Sequence, residues 1–245
     1  MRQKKFLLAL LLLVSSVGAV AGQTRATDPG YPGDPAAAIE RGNRSFAKAD
    51  YQAALREYVS VPASAGETYA QALYNIGVSY YELWRTTEAI EYYRRAIVAQ
   101  HGHYPRALYS LGVALEDQGK VTEAKQAYQQ SIVESRGENA VAHYRLGVLN
   151  AGQGEYEMAA ESFRKALRHP GLHLPASHNN LGVMLARLGN LKDAQHEFEI
   201  ALRQSGGDFD DATHNLKLCR SLLTTATSSR RVAAFRVSEV IAGAN

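Results

Sequence analysis

A glycine returns at a fixed step of 35 residues, at Gly42, Gly77, Gly112, Gly147 and Gly182. An alanine keeps the same step at Ala54, Ala89, Ala124, Ala159 and Ala194, and an aromatic keeps it at Tyr58, Tyr93, Tyr128, Phe163 and Phe198. Three residue types tied to one period describe a tandem array, and periods near 34 belong to helical repeats. One unit cannot bury its own apolar faces, so such a chain folds by stacking unit on unit along a linear core. Arrays of this kind are surfaces for holding something, which turns the functional reading toward binding rather than catalysis.

Each period reads as helix–turn–helix. Around Gly112 the first helix is predicted over Pro105–Gln118, with Leu108, Leu111 and Leu115 on one face. Gly119-Lys120 breaks it, and the second helix, Thr122–Glu134, carries Ala124, Tyr128 and Ser131. The following units open near Ala140 and Pro175. Glycine on the first helix and alanine on the second let the two helices approach. Tyr93, Tyr128, Phe163 and Phe198 are expected to plug each unit into the next.

The residues Leu73…Ile76-Gly77…Tyr80…Ala89…Tyr93…Ala96 resemble the signature of the tetratricopeptide repeat family. The pattern recurs as Leu111-Gly112…Leu115…Ala124…Tyr128…Ser131, as Leu146-Gly147…Ala159…Phe163…Ala166, and as Leu181-Gly182…Leu185…Ala194…Phe198…Ala201. The first copy is degenerate, with Arg41 in place of Leu and Val61 in place of Ala, as suits a terminal unit. The resemblance implies an all-α fold, a right-handed solenoid of helix–turn–helix repeats with a 35-residue period. Five units are expected over 36–209 (approximately 36–69, 70–104, 105–139, 140–174 and 175–209), then a capping helix at 210–224 and a tail at 225–245. Asn215-Leu216-Lys217 falls one period after Asn180-Leu181-Gly182, with Lys in the glycine slot, so 210–224 reads as a half-unit.

The N-terminus is set apart. Arg2, Lys4 and Lys5 precede an apolar run, Phe6–Val14, which ends in small residues through Ala19-Val20-Ala21. This is the form of a secretory signal peptide over 1–21, followed by a Gly- and Pro-rich linker over 22–35. An uncleaved anchor is the alternative. The whole chain has 27 Lys and Arg against 24 Asp and Glu; without residues 1–21 each sign counts 24. The net positive charge therefore belongs to the export signal, and no global attraction to nucleic acid remains. The protein is expected to be exported, periplasmic or secreted. The single cysteine, Cys219, lies in an apolar helical context and reads as a buried, inert thiol.

In the family, the first helices line the concave face. The residues three before and one after the glycine slot point into it. Here the first of these ladders contains Ile39, Tyr74, Tyr109, Tyr144, Asn179 and His214, and the second contains valines. The three tyrosines are expected to stand open in the groove. A further ladder, two before the glycine slot, holds Asn75, Ser110, Arg145, Asn180 and Asn215. An asparagine amide both donates and accepts, so it can grip the main chain of an extended peptide without reading its sequence. The candidate partner-binding residues are therefore Tyr74, Asn75, Tyr109, Tyr144, Arg145, Asn179 and Asn180.

Other constellations are weaker. A carboxylate clamp of the family's kind would fall on Ile39, Asn43, Asn75, Arg106 and Ser110, where Ile39 and Ser110 do not match. His169, His173 and His178 cluster in sequence without the ligand set of a metal site, and no metal or cofactor is expected. His143 and His178 share a slot and are expected to stack. Residues 230–241 read either as a loosely docked terminal helix or as a short basic amphipathic segment for a partner or a membrane surface. The chain holds no nucleophile elbow, HExxH, phosphate loop or dinucleotide glycine pattern. It reads as a non-catalytic scaffold or adaptor that binds an extended peptide or partner helix, in cell-envelope assembly or secretion. A self-assembling repeat protein, or a periplasmic subunit of a membrane-associated complex, are the other readings.

Overall fold

The computed structural model describes residues 33–169, 175–224 and 234–238. The signal peptide, nearly all of the linker, His173 and most of the tail fall outside these. Among the described residues there are eleven α-helices, a short 3-10 helix at Ala63–Ala65 and no strand. They form successive pairs: α1 (Pro35–Ala47) with α2 (Tyr51–Val59), α3 (Glu67–Glu82) with α4 (Thr86–Ala99), and α5 (Pro105–Asp117) with α6 (Val121–Glu134). Then follow α7 (Ala140–Gly152) with α8 (Tyr156–Leu167), α9 (Pro175–Arg187) with α10 (Leu191–Gln204), and α11 (Asp210–Thr224). The chain divides into two compact units at Ala127/Tyr128, within α6. In each, helix pairs stack in sequence order, as in a helical solenoid.

Helix boundaries follow local chemistry. Asp34 caps α1 by accepting from the Ala36 amide at 2.9 Å, with Pro35 in the first turn. Asp50 caps α2 through Ala53 and Asn139 caps α7 through Ala142. Each first helix of a pair ends in a left-handed residue, and the period persists there: Ala49, Trp84, Gly119, Gly154 and Gly189 all have φ between +58° and +86°. The turn closes in the same way each time; for example, the Lys120 amide donates to the Leu115 carbonyl at 2.9 Å. Glycine fills the slot in three units.

The periodic glycine and aromatic meet inside one unit. A Cβ at Gly42 would stand 2.3 Å from the Tyr58 ring, at Gly77 2.7 Å from Tyr93, at Gly147 2.7 Å from Phe163 and at Gly182 2.6 Å from Phe198. These four rings are fully buried. The sequence reading gave each ring to the following unit; its seat is instead the missing side chain of its own first helix. The periodic alanines are equally buried, and the Ala194 carbonyl lies 3.1 Å from the Cβ position of Gly182.

Two further expectations change. His143 stacks on His169, with centroids 6.5 Å apart, while His178 turns to Glu197, with Nδ1 to Oε2 at 2.7 Å. The reason is that a carboxylate on α10 offers His178 a stronger partner than a neutral ring. Residues 235–238, read as part of a terminal helix or amphipathic segment, form no helix: the main-chain groups of Arg236 and Ser238 turn instead to Asn215 and Asn180 of the second unit. Cys219 is buried, donates to the Leu191 carbonyl at 3.1 Å, and burial pushes its thiol up to about 11. No described helix is long and apolar enough to cross a membrane.

Three outcomes follow. Gly182→Ala forces a methyl into a ring that has no room to move, and should cost about 1–3 kcal/mol in urea unfolding. Gly152→Ala, with nothing within 4 Å of its Cβ position, should be neutral or slightly stabilising in the same measurement. Burial, with Lys165, His169 and Arg168 nearby, lowers the His143 pKa below its ordinary 6.5, against a weaker opposing bond to Gly137. The unfolded chain therefore takes up that proton first, and stability should be full above about pH 6.5 and fall as pH drops through the lowered folded value. His143→Asn should flatten this slope in thermal melts between pH 7.5 and 5.

Candidate functional site

The first helices of successive repeats in the second unit, α7, α9 and α11, present matching positions one period apart. Two residues before the glycine slot stand Arg145, Asn180 and Asn215; three before it stand Tyr144, Asn179 and His214. Across them lies Ala234–Ser238. The Asn215 amide nitrogen donates to the Arg236 carbonyl at 2.8 Å, and the Arg236 N–H donates to Asn215 Oδ1 at 2.8 Å. The Asn180 amide nitrogen donates to the Ser238 carbonyl at 2.7 Å, and the Ser238 N–H donates to Asn180 Oδ1 at 2.7 Å. Each asparagine thus pairs with both polar groups of one residue, as a neighbouring strand would. The step is one asparagine for every two residues of extended chain, which is the pleat period.

Other groups fix the segment's side chains. Phe235 is buried and stacks on Phe198, with centroids 5.8 Å apart and ring planes 17° apart. Ser238 Oγ accepts from Asn179 Nδ2 at 2.9 Å and donates to Asp211 Oδ2 at 2.8 Å. Asn179 Nδ2 also reaches the Arg236 carbonyl at 3.1 Å, and Asn179 Oδ1 accepts from Asn215 at 2.8 Å. The Tyr144 hydroxyl donates to the Ser238 carbonyl at 2.8 Å and accepts from Asn180 at 3.1 Å. Asn179, Asn180 and Asn215 are wholly buried, so a cradle of amides in an apolar setting finds its partners in the segment. The Arg236 and Val237 side chains remain exposed.

Of the residues singled out from the sequence, Tyr144, Asn179 and Asn180 come together here. Arg145 lies beside them on α7, half-buried. Tyr74, Asn75 and Tyr109 belong to the first unit. The expectation that the three tyrosines stand open fails: Tyr74, Tyr109 and Tyr144 are 1%, 4% and 3% exposed. Tyr74 is enclosed because α5 closes over it. Its ring lies 5.5 Å from Tyr104 and 5.8 Å from Tyr93, its hydroxyl faces Ser110 Oγ at 3.4 Å, and burial raises its pKa. Tyr144 is covered by the chain's own segment. Asn75 donates to Asn43 Oδ1 at 3.3 Å, which also accepts from Tyr58, and Arg106 lies 6.0 Å over the Tyr74 ring, so these clamp positions are engaged within the first unit.

Sequence reasoning missed Asn215, Asp211, Phe235 and Ser238 as site residues. Asn215 was readable, because it stands on the same ladder as Asn180. Asp211, at the start of α11, keeps no period with the array. Nothing local marked Phe235 and Ser238, since the tail's apolar spacing suited a helix equally well. Among the described residues no group of three or more His, Cys, Asp or Glu is placed to hold a metal ion.

Hydrogen exchange on the full chain reads this geometry directly. The Ser238 amide should exchange at least about tenfold more slowly than that of Val237, whose N–H faces neither asparagine, given roughly 1.4 kcal/mol for the bond. Asn180→Ala should abolish the difference.

Tetratricopeptide repeat models match residues 70–103, 96–139, 109–173 and 144–209, together more than half of the chain. A crystal structure of MamA protein superposes with a TM-score of 0.60 at 24% identity, covering 70% of this chain and 92% of that one. MamA 41-end from Desulfovibrio magneticus RS-1 gives 0.60 at 19% identity, covering 71% and 96%. YrrB, described as a TPR protein with an unusual peptide-binding site, gives 0.60 at 22% identity, covering 75% and 92%. No curated protein sequence matches. The first pair, α1 and α2, precedes the matched residues yet carries the same glycine–aromatic contact, Gly42 on Tyr58. With its period, its helix pairs and these matches, the chain belongs to the tetratricopeptide repeat family.

Proposed function

We propose that this protein is a non-catalytic adaptor that holds an extended segment of a protein partner along α7, α9 and α11, working after export in assembly or secretion at the cell envelope. The observation that carries the reading is the pairing of Asn180 and Asn215 with both main-chain groups of alternate residues. A partner helix has no such groups to offer, because its amides and carbonyls are spent internally. An extended peptide does, and main-chain pairing with side-chain pockets between is a general mode of peptide capture. The peptide-binding site named for YrrB supports the same class of ligand. The export reading rests on residues 1–21 alone.

The test is photocrosslinking in the native cell with full-length protein. A photoreactive residue replaces His214, half-buried beside the segment, or Gln129, exposed on α6. Partner bands at position 214 in the envelope fraction, absent at position 129, are expected. No specific band at 214, or bands only in the cytoplasmic fraction, would overturn the adaptor or the export reading respectively.

A further inference from the structure

The segment held in the groove is the protein's own, and it shows what the groove selects. We infer that the site recognises extended polypeptide carrying an aromatic residue and, three residues later, an unmodified serine or threonine, and that residues 235–238 are a built-in competitor for it. This deepens the adaptor reading and rests on it.

Only two side chains of the segment are buried. Phe235 fills a slot floored by Phe198, and Ser238 is 4% exposed; Arg236 and Val237 point outward, Val237 being 37% exposed. Position 235 therefore demands a flat apolar group. Position 238 demands a hydroxyl, because Asn179 donates to it while Asp211 accepts from it. Only a group that both accepts and donates satisfies the two. A phosphate there would set a dianion against the Asp211 carboxylate. The two intervening positions contribute main chain alone, through the Arg236 N–H and C=O, and impose no side-chain requirement.

The segment is joined to α11 by residues 225–233, a nine-residue connection. A tether of that length gives an effective concentration on the order of millimolar. An incoming segment must outcompete it, which sets a threshold on partner affinity. Phe198, Asn179, Asn180, Asp211 and Asn215 would serve both, so occupancy by one excludes the other.

The experiment uses a fluorescent peptide of residues 231–240 and anisotropy with the full chain. Phe235→Ala in the protein removes the aromatic anchor, and Ser238→Asp independently repels Asp211; both variants should keep the helix content of the unaltered chain by circular dichroism. Each should bind the peptide at least about tenfold more tightly than the unaltered chain, whose groove is filled. Peptides carrying Phe235→Ala or Ser238→Ala should bind Phe235→Ala protein at least about tenfold more weakly; peptides carrying Arg236→Ala or Val237→Ala should bind within about twofold. Adding Asn180→Ala to the Phe235→Ala protein should weaken binding. Equal binding to unaltered and variant chains, or none to either folded variant, would overturn the inference. A dimer of the unaltered chain that dissociates on Ser238→Asp would overturn it too, because the segment would then serve a second copy. Peptide binding without partner crosslinks at position 214 keeps the site and removes the adaptor reading; crosslinks without peptide binding do the reverse.

Discussion

A ring lying against an absent side chain underlies everything else in this molecule. Where Tyr58, Tyr93, Phe163 and Phe198 cover their glycines, the two helices of a pair stand at a distance that no residue with a Cβ permits. The ring is buried on all sides and cannot yield. The contact therefore fixes both separation and rotation of the first helix on the second. Rotation is what matters for the site. Asn180 stands two residues before Gly182, so the glycine that faces Phe198 also aims the asparagine at the segment. Asn215 occupies the corresponding position on α11, where Lys217 takes the glycine slot.

The fold was legible because it rests on this one contact, repeated. Glycine, alanine and aromatic at one period identify helix pairs whatever else varies, and even the degenerate first unit keeps Gly42 on Tyr58. The site was legible only in part. The asparagine ladder could be read, since its members repeat with the array. Tyr74 shows where such reading stops: its slot points toward the groove in a generic repeat, but Tyr104 and Ser110 close over it here. Burial of that kind depends on neighbours that the period does not specify. The tail was the least legible element. It belongs to no repeat, and its pairing with Asn180 and Asn215 spans 58 and 21 residues of sequence.

The chemistry of the cradle would let a single groove hold a segment and still release it. Asparagine amides are neutral, so an emptied groove exposes dipoles that water satisfies, and the Asp211 carboxylate, only half-buried, meets water as well. Each protein–water bond exchanged for a protein–protein bond contributes only about 0.5–1.5 kcal/mol. Buried ion pairs in the same place would hold harder and cost far more to open. The aromatic slot supplies the larger, non-directional share, because burying a Phe side chain contributes about 1.5–3 kcal/mol. Removal of Phe235 should therefore loosen the segment more than removal of any one hydrogen bond, while the asparagines decide its register. Affinity and register thus reside in different residues: Phe198 with Phe235 for the first, Asn180 and Asn215 for the second. Because the chain joins the segment to α11, these modest contacts act at a high local concentration, and a free polypeptide would have to bind more tightly to take its place.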